Sequence, residues 1–170
     1  QWNRYAGSVV YALLATPVYQ VDSKIKPSSA KYLTELNTPD LSEIFSITPE
    51  QAYESAKQAI FSQEYRREFY QQSVAQFKQA DLYSDALSFS QNYQRFNENL
   101  KVSVSSEKKD AESYLQISLE LSDPQLATLF VNDYVLYSLK RRLNDISDEI
   151  ESKRESRLKK LEFDAGLLRD

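Results

Sequence analysis

With 170 residues, 41% of them hydrophobic and 27% charged, plus twelve tyrosines and eight phenylalanines, the chain holds the apolar material for one core and one main domain. It contains no histidine, cysteine or methionine, which excludes zinc sites, haem ligation, thiol nucleophiles and histidine-based triads, and its two glycines, Gly7 and Gly166, leave no glycine-rich phosphate loop. A net charge of −4 and a pI near 5.1, with no basic face carrying interleaved aromatics, argue against a nucleic-acid binder.

The most apolar stretch is Val9 to Val18, VVYALLATPV, with Val9, Val10, Leu13 and Leu14 ahead of Pro17. A bilayer span needs about twenty residues, so this run is either the end of a transmembrane helix or a buried core element. Tyr19 to Lys26 alternates Tyr19, Val21 and Ile25 against polar residues, the pattern of a strand, and Pro27 ends it. Ser28 and Ser29 open a short helix through Tyr32, Leu33 and Leu36, followed by a loop with an aliphatic patch at Leu41, Ile44, Phe45 and Ile47. Thr48, Pro49 and Gln51 spell a capping box at the start of a helix whose apolar face continues through Tyr65, Phe69 and Tyr70, with a kink expected near Ser62. Further short helical segments are predicted from Val74 to Phe96.

Leu100 to Ser106 and Tyr114 to Leu121 alternate again, and the polar turn Glu107 to Asp110 between them predicts an antiparallel hairpin with a solvated tip. From Asp123 to Asp170 the chain reads as one helix of roughly 70 Å at about 1.5 Å per residue. Ser122 or Asp123 caps it and Pro124 takes an early position. Its apolar stripe runs through Leu126, Phe130, Val131, Tyr134, Val135, Leu139, Leu143, Ile146 and Ile150, then Leu158, Leu161, Ala165 and Leu168. A break at Lys153 and Arg154, where the stripe is interrupted, is the weaker alternative, since no glycine or proline sits there.

The expected fold class is α+β: a small sheet with helices packed on it, plus a long extended C-terminal helix. The expected division is residues 1–17 as a membrane-flanking segment, 18–122 as an α/β base, and 123–170 as the long helix, its first half packed on the base and its second half reaching away. Carboxylates such as Asp110, Glu112, Glu120 and Asp123 are plentiful, but no spacing brings two into a shared glycosidase-like pocket, so no catalytic group, metal or cofactor is expected.

The run ALLATPVYQV leading into a strand that ends in Lys-Pro, then LTELN, TPEQAYESA and the paired segment KVSVSSEKKDAESYLQISLE before an unbroken charged helix, resembles the periplasmic part of the Wzz-type O-antigen chain-length determinants, the polysaccharide co-polymerases. The likeness covers most of the chain and rests on order and pattern. It implies a bacterial inner-membrane protein with this region in the periplasm, a homo-oligomeric ring, and control of O-antigen length in lipopolysaccharide synthesis. The implied partners are a separate polymerase, lipid-linked polysaccharide and, through transmembrane helices, the membrane. It also implies that the chain is part of a longer protein, with a returning helix, a strand and a second transmembrane helix to follow, and that Val9 to Thr16 belong to the first. Residues Leu139, Leu143, Ile146, Ile150, Leu158, Leu161 and Leu168 would form the packing stripe. The rival readings are a helical coiled-coil adaptor, or a carboxylate-based glycan-active enzyme domain.

Overall fold

The computed structural model describes residues 19–26, 46–78, 82–106 and 113–167. It is an α+β fold in which three strands, β1 (Tyr19–Ile25), β2 (Leu100–Ser106) and β3 (Ser113–Leu121), carry helices on one face. The helices are α1 (Pro49–Phe61), α2 (Gln63–Gln72), α3 (Val74–Phe77), α4 (Phe89–Asn99) and the long α5 (Pro124–Leu167).

The strands lie in the order β1-β3-β2, antiparallel throughout. The hairpin of β2 and β3 is as the alternation predicts, and β1 completes the sheet on the other side of β3. In register, Val21 lies opposite Leu119 and Leu119 opposite Leu100, while Ile117 lies between Ser23 and Val102. Side chains two apart share a face, so these rows place Leu115, Ile117, Leu119 and Leu121 together against the helices, all buried. The other face is polar, with Lys101 and Glu120 paired at 3.5 Å in solvent, a contact worth under about 1 kcal/mol. Val104 belongs by alternation to the apolar side, yet it is 48% exposed, because it sits near the tip of the hairpin.

Local signals account for the helix starts. Thr48 Oγ1 accepts from the Gln51 amide and Gln51 Oε1 accepts from the Thr48 amide, which is the expected capping box. At Ser62 the chain does more than kink. Its extended backbone ends α1, its N–H bonds to the Ala59 carbonyl, and its hydroxyl accepts from the Tyr65 amide to start α2. A second capping box, Ser88 with Gln91, opens α4. Beside it the fully buried Asn92 holds the preceding loop by donating to the Ser84 and Leu87 carbonyls and accepting from the Ser84 amide. Asp123 caps α5, its Oδ1 accepting from the amides of Gln125 at 2.8 Å and Leu126 at 3.2 Å.

The core has an aromatic centre built from α2, α3, α4 and α5. Phe77 stacks on Phe130 at 4.6 Å and on Tyr70 at 4.8 Å, and Phe69 meets Tyr134 edge-on at 5.5 Å. The Tyr134 hydroxyl donates to the Ile60 carbonyl at 2.6 Å, which satisfies one of the free acceptors at the end of α1. Arg66, also buried, faces the Tyr134 ring and donates to Asn97 Oδ1 at 2.7 Å. On α5 the buried face is wider than its hydrophobic stripe, since the small residues Ala127 and Ser138 are fully enclosed beside Phe130, Val131 and Tyr134.

Candidate assembly surface

Helix α5 runs for 44 residues without a break, continuous through Lys153 and Arg154 and past Gly166. At about 1.5 Å per residue it reaches roughly 66 Å. Its first part packs on β1, β3, α1 and α2. Leu139 and Leu143 are half-buried against the core, and Ile146 and Ile150 are buried. Past Ile150 the environment changes completely, and every residue from Glu151 to Gly166 is exposed. Leu161 is 56% exposed and lies about 20° around the helix from Ile150, Leu158 is 52% exposed about 80° from Ile150, and Phe163 is 67% exposed on a different side, about 200° around the helix from Leu161. Leu168 and the segment containing Val9, Val10, Leu13, Leu14 and Pro17 lie outside the described residues.

The exposed part is supported by its own charges. Lys153 pairs with Glu149 at 2.7 Å and Arg154 with Glu151 at 3.8 Å, at helical spacings of four and three. The Lys153 ammonium hydrogen-bonded to Glu149 holds that carboxyl below its ordinary range. Such pairs contribute a few tenths of a kcal/mol each. A solvated helical segment of this length is marginal in water, so packing against a partner is the larger available source of stability.

A polar brace fixes α5 to α2 just before the helix leaves the base. The Tyr65 hydroxyl donates to Asp145, Arg141 pairs with the same carboxylate, and Arg141 Nε donates to Glu68 at 3.2 Å. Glu68 also accepts from the Tyr137 hydroxyl at 3.0 Å, and Gln72 donates to that hydroxyl at 3.3 Å. The Arg141 guanidinium lies over the Tyr65 ring, 5.4 Å from its centre. A second tie joins α5 to α1, where Arg142 Nε donates to Ser55 Oγ at 2.8 Å. The stripe omits this brace, because Tyr137 falls beside the apolar line and Arg141 reads as one more solvated charge. The signal that could have found it is a matched pair of ladders: Tyr65, Glu68 and Gln72 at steps of three and four, and Tyr137, Arg141 and Asp145 at steps of four.

Burial, reinforced by the hydrogen bond to Glu68 and by its charge, pushes the Tyr137 phenol up to about 12, and burial does the same for Tyr70. Both values are raised above the unfolded value of about 10, so the neutral phenols stabilise the fold fully below about pH 10 and lose that contribution as pH rises through their folded values. Melting temperature is therefore expected to fall between about pH 10 and pH 12, and to fall less steeply in Tyr137→Phe. Equal slopes in the two proteins would remove Tyr137 from that account.

The carboxylates singled out in the sequence do not converge. Glu120 lies on the polar face of the sheet, Asp123 caps α5, and Asp110 and Glu112 lie outside the described residues. Among the described residues no three histidine, cysteine, aspartate or glutamate side chains are grouped to hold a metal ion, and no helix is long and apolar enough to cross a membrane. Comparison with protein-family models finds no match for this chain, and comparison with curated proteins finds none either.

Proposed function

We propose that the chain is a non-catalytic scaffold of the chain-length-determinant kind, which helps to set the length of a lipopolysaccharide O-antigen by assembling beside a separate polymerase. In this reading the α+β base sits close to the bacterial inner membrane and α5 projects into the periplasm. The protomers associate into a ring, and protomer number and helix reach define the space offered to the polymerase and its growing product.

The observation that supports this reading best is the division of α5 at Ile150. Up to that residue the apolar stripe is enclosed by the base; beyond it, Leu161 continues the same line with Leu158 flanking it, and nothing lies over either among the described residues. An apolar line that outlasts its own domain suits a neighbouring helix, with the flanking charges selecting register between protomers. The order of elements and the motifs of the first 122 residues supply the family resemblance; the long helix supplies the mechanical role.

The test is the size of the whole gene product, extracted from membranes in detergent and weighed by light scattering. A closed assembly of several protomers is expected. A strictly monomeric product would sink the ring and, with it, this mechanism.

A further inference from the structure

The two halves of α5 are held by different forces. Up to Ile150 the helix is seated in the base: Phe130, Val131, Tyr134 and Ile146 are buried, the Tyr134 hydroxyl is tied to Ile60, and Arg142 is tied to Ser55. From Glu151 to Gly166 every side chain is exposed, so what holds the helix there is local. An amide donates to the carbonyl four residues before it. The amides of residues 151–154 therefore still reach carbonyls of the seated part, and those from Glu155 onward depend on the exposed half alone.

The local forces in that half are weak. The ion pairs of Glu149 with Lys153 and Glu151 with Arg154 are opposed by Glu151 and Glu155, like charges four residues apart. Ser152 and Ser156 are middling helix formers, and Gly166 is a poor one. A helix C-terminus favours cations, yet the last turn of α5 has no basic residue, and Glu162 and Asp164 stand close to it. Extension from Ile150 needs no new nucleus, but each added residue multiplies the helical population by a factor of only about 1 to 1.6. Hydrogen bonds can thus open from the far end back towards Ile150 while the base stays intact. The apolar contribution that this stretch lacks is the one that covering Leu158 and Leu161, 52% and 56% exposed, would add.

We propose that α5 beyond Ile150 is a folding unit separate from the base, exchanging between helix and coil within about a microsecond while uncovered, and locked as helix along its length when Leu158 and Leu161 are covered. The covering neighbour is the protomer of the assembly reading, and the second clause rests on that reading; the first rests on the chain alone. The reach of α5 is then a product of assembly, and a lone protomer presents no rigid arm.

The experiment follows hydrogen exchange of the full chain residue by residue by NMR. Amides from Glu155 to Gly166 should be slowed by about ten-fold or less relative to an unstructured peptide, against about a thousand-fold or more at Val131, Tyr134 and Ser138. The triple variant Ser152→Ala/Ser156→Ala/Gly166→Ala strengthens the helix without touching the base, since an added Cβ at Gly166 meets no atom within 4 Å. It should slow exchange from Glu155 to Gly166 by about three-fold or more and leave the buried amides as they were. Comparable slowing in both halves of the parent chain, or no response to the three substitutions, would overturn the proposal. In the whole gene product in detergent, where its mass shows an assembly, the same amides should slow by about a further ten-fold or more. Unchanged exchange in such an assembly overturns the locking. A strictly monomeric product sinks the assembly reading instead, and the exchange comparison on the chain itself still decides whether the folding unit exists.

Discussion

Replacing Phe77 by alanine is expected to destabilise the base by about 3–5 kcal/mol, a large part of the roughly 5–15 kcal/mol that holds a domain together. The residue sits in a helix of four residues and is fully buried. Its ring meets rings on three other helices: Tyr70 at 4.8 Å and Phe69 at 6.0 Å on α2, Phe96 of α4 at 4.8 Å and Phe130 of α5 at 4.6 Å. Truncation removes contacts that no single neighbour can replace by collapsing, since the surrounding rings are held on three separate helices. In urea the midpoint should fall by about 1–5 M for an m-value of about 1–3 kcal/mol/M. Phe163→Ala is the control. That ring is 67% exposed, and its loss should move stability by less than about 0.5 kcal/mol. A Phe77→Ala cost below about 1 kcal/mol would mean that the aromatic cluster is not the centre of the core.

The second large effect has the opposite character. Leu158→Asp with Leu161→Asp places charge on the exposed continuation of the stripe, at positions 52% and 56% exposed, so the base should keep its stability within about 0.5 kcal/mol. Assembly should not survive. A carboxylate buried against a neighbouring helix without a partner is strongly unfavourable, and two on one face leave no register that avoids both. The whole gene product carrying both changes is expected to run in detergent as dissociated protomers. Unchanged assembly mass would mean that protomers meet through some other surface.

Much of the fold is legible in local sequence because local rules decide it. The box of Thr48 and Gln51, the cap at Asp123 and the alternation in β2 and β3 each involve neighbours a few residues apart, and α5 has no breaker before Gly166 to interrupt it. What escaped depends on contacts between distant segments. Nothing local says that β1 pairs with β3, although burial of Tyr114 and Ser118 on the polar side of β3 marks it as the central strand once the sheet is known. The brace joins Tyr65 to Asp145, eighty positions apart, and becomes visible only when α2 is known to lie along α5. Ala127 and Ser138 escaped for another reason: their small side chains carry too little apolar signal to mark a buried face. The box of Ser88 and Gln91 was within reach of the sequence, hidden among short segments with no clear period.

The candidate assembly surface was legible only in part. Its apolar line is plain in the spacing from Leu126 to Leu161, but the point where the domain ends and the line goes on, at Ile150, needs the packed structure. The division between an enclosed stripe and a bare one is the physical basis of the proposed role. Its consequence belongs to the polysaccharide, which leads to the most direct measurement: the length distribution of O-antigen on lipopolysaccharide, resolved by electrophoresis from cells whose only copy of the gene carries Leu158→Asp and Leu161→Asp, with the protein present at its normal level. The account predicts that the preferred length is lost and short chains dominate. A distribution indistinguishable from that of the unaltered gene would contradict it.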